Sequence, residues 1–190
     1  MSEDKGGCRV KNQVLRLDEL NQLDRETFVA RLRYLFEDAP WVLAAAWEHR
    51  PFAHLEDLYA ALCAALYAGS PEQHEALIRA HPELAGRDAL SGAITPESAR
   101  EQAMAGLNRL DANELAQFQA LNQAYRERFG FPFVICVREH TREEILAALQ
   151  SRLANSRQEE LRQALHEITR ICWFRLVDTV SNTHASPAIS

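Results

Sequence analysis

The chain has 190 residues, enough for one domain with a sizeable core, and its 47% hydrophobic and 25% charged content is ordinary for a soluble globular protein. Its formal charge of −6 argues against a nucleic-acid binder, which carries a basic surface, yet leaves room for an anionic small-molecule substrate held by one pocket arginine. The cysteines Cys8, Cys63, Cys136 and Cys172 form no CxxC pair and three sit in apolar runs, so no disulfide framework is expected. There is no signal-peptide core, no membrane-length apolar run and no peroxisomal ending at Ser190. A cytoplasmic protein with neither membrane nor nucleic acid as partner is expected.

In chain order the pattern is helix after helix. Asp24 N-caps a helix with Phe28, Leu32, Leu35 and Phe36 on its apolar side, and Pro40-Trp41 restarts a short helix through Trp47. Leu55, Leu58, Tyr59, Leu62 and Leu66 form the next stripe, with Gly69 as its C-terminal cap. Ser70-Pro71 opens a helix that stops at His81, because Pro82 excludes the helical region for the residue before it. Residues 83–94 read as a loop. Thr95-Pro96 starts a helix to about Arg109, and Asp111, Thr141 and Ser156 each head a capping box. Phe129-Gly130 ends the Asp111 helix. Phe133–Val137 has no second strand to pair with and reads as an extended core segment. The last helix carries Leu161, Leu165, Ile168, Cys172 and Leu176 on one face. The fold class is all-α: a single-domain bundle of about eight helices over residues 16–180, with flexible tails at 1–15 and 181–190.

Four features could carry chemistry. His81 sits at a helix end, where the negative pole of the dipole favours the protonated imidazole and makes it a candidate acid or base. Ser98, Glu101 and Gln102 share one face of the first two turns of their helix, as either a solvated face or an anion-binding patch. Arg175, at the edge of the last apolar face, must snorkel outward or pair with a carboxylate, supplied either by a ligand or by an internal salt bridge. Phe129-Gly-Phe-Pro-Phe133 is rigid and aromatic, and the amides beyond it read either as donors to a flat heterocycle or as part of a hydrophobic plug. No HExxH, GxGxxG, Walker loop or GxSxG elbow is present.

Together, Ala80-His-Pro-Glu-Leu-Ala-Gly86, Ser98-Ala-Arg-Glu-Gln102 with Ala105-Gly-Leu107, Phe129-Gly-Phe-Pro-Phe-Val-Ile-Cys136 and Arg175-Leu176 resemble the 2-oxo-4-hydroxy-4-carboxy-5-ureidoimidazoline (OHCU) decarboxylases over roughly residues 18–180. The resemblance implies a carboxy-lyase that makes (S)-allantoin in urate and purine catabolism, all-α, homodimeric, and using neither metal nor organic cofactor. It implies that His81 is the catalytic proton carrier, oriented by Glu101. Substrate contacts fall to Pro82, to the segment Ser98, Ala99, Arg100, Glu101 and Gln102, and to Phe133, Val134, Ile135, Cys136 and Val137. Arg175 becomes the partner of a substrate anion. Two other readings stay open: a non-catalytic helical interaction protein, and a related lyase or hydrolase acting on another ureido compound. The first requires that His81, Glu101 and Arg175 lie apart or face bulk solvent.

Overall fold

The computed structural model describes residues 14–86, 89 and 91–182; the expected tails beyond them, with Cys8, lie outside the described residues. Nine α-helices occur among these residues: α1 (Leu17–Gln22), α2 (Arg25–Leu32), α3 (Pro40–Trp47), α4 (Leu55–Tyr67), α5 (Pro71–Ala80), α6 (Pro96–Met104), α7 (Ala112–Phe129), α8 (Arg142–Arg152) and α9 (Arg157–Thr179). Short 3-10 turns lie at Arg33–Leu35 and Val137–Glu139, and within the stretch expected to be a loop Ala89 and Ser91 are helical.

The caps read from sequence are made. Asp24 accepts from Thr27 N at 2.8 Å, and Ser70, Asp111, Thr141 and Ser156 each close a reciprocal box with the residue three positions on. Each such cap stabilises its helix by about 1 kcal/mol. Gly130 ends α7 at φ 79, a left-handed conformation that glycine adopts without steric penalty. α6 stops at Met104, before the expected Arg109, because the chain turns at Gly106 (φ 74) and Leu107 N donates to Gln102 O at 3.0 Å.

The long helix α9 is the spine of the fold. It packs on α4, on α5 and on the Arg33–Leu35 turn, while α3 sits between α2 and α4 and α7 pairs with α8. The core so formed includes Phe28, Leu32, Leu58, Leu62, Leu66, Ile168, Cys172 and Leu176, all essentially inaccessible. Phe131–Cys136 crosses this core as an extended, irregular and fully buried segment, as the apolar run without a pairing partner predicts.

Two features were not foreseen. α1 is one, since its short apolar pattern (Leu17, Leu20) has no capping side chain. The other is a parallel pairing of Leu15–Arg16 with Val180–Ser181, so residues assigned to the edges of the tails are tied into the domain. Asn182 Oδ1 also accepts from Leu55 N at 2.8 Å, fastening this end to the start of α4. No described helix is long and apolar enough to cross a membrane.

Gly69 follows α4 as expected, but for a different reason. Its φ is not left-handed; a Cβ there would lie 2.5 Å from Trp41 Cη2 and 3.1 Å from His74 Nε2. His74 is itself held, through a 2.7 Å hydrogen bond between Nε2 and Leu66 O. Gly69→Ala therefore overpacks the α3–α4–α5 junction, with an expected loss of about 1–3 kcal/mol. Chemical denaturation of the variant checks this; wild-type stability would show that the junction relaxes freely.

Candidate functional site

His81 and Pro82, α6, the buried Phe133–Val137 segment and α9 enclose a cleft of about 460 Å³, counting the space at its mouth. His81, Pro82, Ser98, Glu101, Gln102, the five residues Phe133, Val134, Ile135, Cys136 and Val137, and Arg175 all line it. Residues from four stretches far apart in sequence thus converge, which is what a scaffold with scattered polar residues would not show. Leu84, Arg138 and Ile171 line it too, without having been singled out from sequence. Ala99 and Arg100 do not line it. Both are exposed on the other side of α6, where Arg100 pairs with Asp178 at 3.7 Å.

His81 leaves the helix with extended backbone (φ −72, ψ 136), as the following proline demands. Its ring folds back so that Nδ1 lies 2.8 Å from Leu77 O. A carbonyl only accepts, so Nδ1 carries the hydrogen and Nε2 keeps its lone pair in the neutral ring. Nε2 has no hydrogen-bond partner among the described residues. The expectation of a protonated imidazole is corrected here. Burial pushes its pKa down to about 4, against the raising influence of the Leu77 carbonyl and Glu37, with Arg175 adding to the depression. Desolvation of a fully buried ring outweighs the fractional charge of a helix terminus.

The loop after His81 is held by carboxamides. Gln102 Oε1 accepts from Ala85 N at 3.0 Å and its Nε2 donates to Glu83 O at 3.3 Å, while Asn122 Nδ2 donates to Leu84 O at 2.8 Å. Ala85 is left-handed (φ 52), a conformation that persists for a residue with a Cβ only where its surroundings impose it. Gln102 therefore faces the cleft with its amide already committed to the loop.

Arg175 is 5% exposed and saturated. Nε and Nη2 donate to the two oxygens of Glu101 at 2.8 and 2.9 Å, Nη1 to Tyr34 O at 2.9 Å, Nη2 to Ser98 Oγ at 3.1 Å, and both Nη atoms to Glu37 Oε1 at 3.3 Å. Of the two readings of this residue, the internal salt bridge is the one formed. Glu101 is accordingly bound to Arg175, and the group that orients His81 is the Leu77 carbonyl. Hydrogen bonding and charge from the two glutamates keep the guanidinium firmly protonated despite its burial.

The opposite wall is built by a second buried network. Arg152 Nη1 donates to Val134 O at 3.0 Å and its guanidinium lies 4.5 Å over the Phe133 ring. Glu160, fully inaccessible, holds Arg152 Nε at 2.9 Å, Asn155 Nδ2 at 2.6 Å and the Tyr125 hydroxyl. Glu167 Oε2 accepts from Cys136 N at 2.9 Å. The amides of Phe133, Val134, Ile135 and Val137, by contrast, make no hydrogen bond to another backbone group among the described residues. Burial raises the Cys136 thiol to about 12, so it stays protonated and unreactive. Glu37, Arg152, Glu160 and Glu167 were missed from sequence. The signal that exposed Arg175, a charge on the apolar face of α9, applies equally to Glu160 and Glu167; Glu37 carries none.

The family model for OHCU decarboxylase matches residues 21–177. A 2-oxo-4-hydroxy-4-carboxy-5-ureidoimidazoline decarboxylase of Amia calva is 44% identical over 162 residues, covering 85% of this chain and 93% of that protein. The Mus musculus protein of the same name is 40% identical over 169 residues, covering 88% and 95%. The crystal structure of an (S)-allantoin synthase superposes with a TM-score of 0.69 at 26% identity, covering 87% of this chain and 54% of that longer one.

The depressed His81 pKa has a consequence for stability. Its folded value, about 4, lies below the ordinary 6.5, so the unfolded chain binds the proton first as pH falls. The stability present above about pH 6.5 is lost progressively down to about pH 4. His81→Leu removes this component, so the difference in melting temperature between variant and wild type should change across that window. A difference independent of pH would mean that the imidazole titrates normally.

Proposed function

The chain belongs to the OHCU decarboxylase family, and on that basis we propose that it is a carboxy-lyase converting 2-oxo-4-hydroxy-4-carboxy-5-ureidoimidazoline to (S)-allantoin in urate catabolism, without a metal or organic cofactor. The observation that carries this is the neutral His81 imidazole, its Nε2 without a partner among the described residues, on a cleft that also holds the Glu101 carboxylate and a wall of apolar side chains.

The substrate brings its own electron sink, the carbon–nitrogen double bond at C5, next to the carbon that bears the carboxylate and hydroxyl. As CO2 leaves C4, the electron pair of the broken bond forms C4=C5 and displaces the C5=N pair onto nitrogen, which takes a proton from solvent. The resulting enol then moves its hydroxyl proton to C5. A neutral His81 suits this transfer: Nε2 accepts the 4-hydroxyl proton and returns it to one face of C5, which sets the S configuration. Leu77 O holds the ring in the required tautomer throughout.

Glu101, held in place by Arg175, is the acceptor for ureido and ring N–H groups. The open amides of Ile135 and Val137 are donors for the substrate carboxylate or ring oxygen. The apolar side chains around them favour the change from a carboxylate to neutral CO2. Arg175 thus acts through Glu101 and Ser98, and meets a substrate anion directly only if the carboxylates release it. We further propose, from the family resemblance, a cytoplasmic homodimer; three cysteines held as free thiols fit a reducing compartment.

His81→Ala is expected to lower kcat by about 10²–10⁴-fold and to abolish the enantiomeric excess of allantoin, while leaving the helical circular dichroism intact. Freshly generated substrate, followed by early CO2 release and by the dichroism of the product, provides the assay, since spontaneous decay gives racemate. Wild-type turnover or wild-type stereoselectivity in the variant removes His81 from the mechanism. Light scattering of the purified protein tests the assembly, and a single-chain mass at micromolar concentration overturns the homodimer.

A further inference from the structure

Glu37 belongs to none of the motifs that carry the family resemblance and does not line the substrate cleft, yet it is only 7% exposed. Its Oε1 accepts from Ser98 Oγ at 2.8 Å, from Thr95 Oγ1 at 3.2 Å and from both Nη atoms of Arg175 at 3.3 Å. The next residue, Asp38, is left-handed at φ 46, a backbone state that surrounding contacts must hold in place. Behind the cleft lies a second, polar cavity that Glu37 lines together with His81 and Pro82. The His-Pro pair is therefore a partition, with the substrate cleft on one side and Glu37 on the other.

We propose that Glu37 is a positioning residue of the decarboxylation: from behind the cleft it fixes Ser98 and Arg175 and places a carboxylate beside His81. The proposal rests on the decarboxylase reading above. The charges around His81 come from three elements packed against it: Glu37 from the segment before α3, Glu101 from α6 and Arg175 from α9. Arg79, Glu83 and Arg126 lie along the second cavity. With the imidazole neutral, Arg175 and its two glutamates sum to one negative charge. When Nε2 takes the substrate proton the sum becomes zero, so Glu37 favours the imidazolium as it forms, against the opposing influence of Arg175. The same charge repels an incoming carboxylate. Glu37 therefore weakens substrate binding while assisting proton transfer, and these two effects separate it from a residue that only packs.

The test compares wild type with Glu37→Gln, which keeps the shape and removes the charge, and with Glu37→Asp, which keeps the charge. Each is assayed with freshly generated substrate at pH values from about 4 to 7. For Glu37→Gln we expect kcat to fall about ten-fold, KM to fall as well, and the acid limb of the rate profile to move down by about one pH unit. The acid limb of Glu37→Asp should coincide with that of wild type, whatever its kcat. Parallel changes in kcat and KM with an unmoved acid limb in Glu37→Gln overturn the proposal. If that variant does not fold, a displaced acid limb in Glu37→Asp overturns it. Failure of the decarboxylase reading is distinct, because wild type itself would then not accelerate CO2 release.

Discussion

A single buried cation organises this protein. Arg175 projects from near the C-terminal end of α9 into a region where an unpaired charge would cost several kcal/mol, and where leaving α9 unburied would forfeit the core. The chain meets this with two carboxylates, a serine hydroxyl and a backbone carbonyl, drawn from α6, from the segment before α3 and from the Arg33–Leu35 turn. Each partner is held in turn: Ser98 is set by its place in the first turn of α6, and Glu37 by the constrained backbone at Asp38. Satisfying one guanidinium therefore ties α6 and α9, which line the cleft, to the Arg33–Leu35 turn and the segment before α3 behind it.

The wall opposite follows the same rule with different residues. A polypeptide segment with no regular structure, buried on all sides, must place its carbonyls and amides somewhere. Arg152 takes the Val134 carbonyl and Glu167 takes the Cys136 amide, while Glu160 neutralises Arg152. What is left over is informative. Among the described residues, the cleft-lining groups left without a hydrogen-bond partner once these networks are complete include the Nε2 lone pair of His81 and the backbone amides of Ile135 and Val137, a base and donors beside apolar side chains. A ligand carrying both an acidic hydroxyl and hydrogen-bond acceptors matches that residue of unmet valence.

How much of this was legible in the sequence depends on the range of the interaction. Asp24, Ser70, Asp111, Thr141 and Ser156 announce their helices because a cap acts over three residues, and the proline at 82 stops α5 because its clash is with its immediate neighbour. The convergence of His81, Glu101, Gln102 and Arg175 was legible through the motifs, and the cleft contains all four. What sequence could not supply were facts set by burial and by distant partners. The protonation of His81 was read from the helix dipole, a local effect, whereas removal from water by the whole surrounding fold decides it. Glu101 was paired with His81 because both belong to the motif; in three dimensions Arg175 is the group that reaches it. Gly69 shows the same limit, since its position after a helix pointed to a cap while the constraint is the Trp41 ring packed against it.

The side-chain amide of Gln102 deserves a last consequence. By bonding to both Glu83 and Ala85 it fastens the segment that follows His81 onto α6, the helix that also presents Ser98 and Glu101. His81 and Glu101, for which proton transfer and recognition of the ureido arm are proposed, are thus mounted on one body. Thermal drift of α6 carries both together, so their separation is kept while their absolute positions vary. The alignment entropy that a bimolecular encounter would have to supply at every turnover is spent once, during folding.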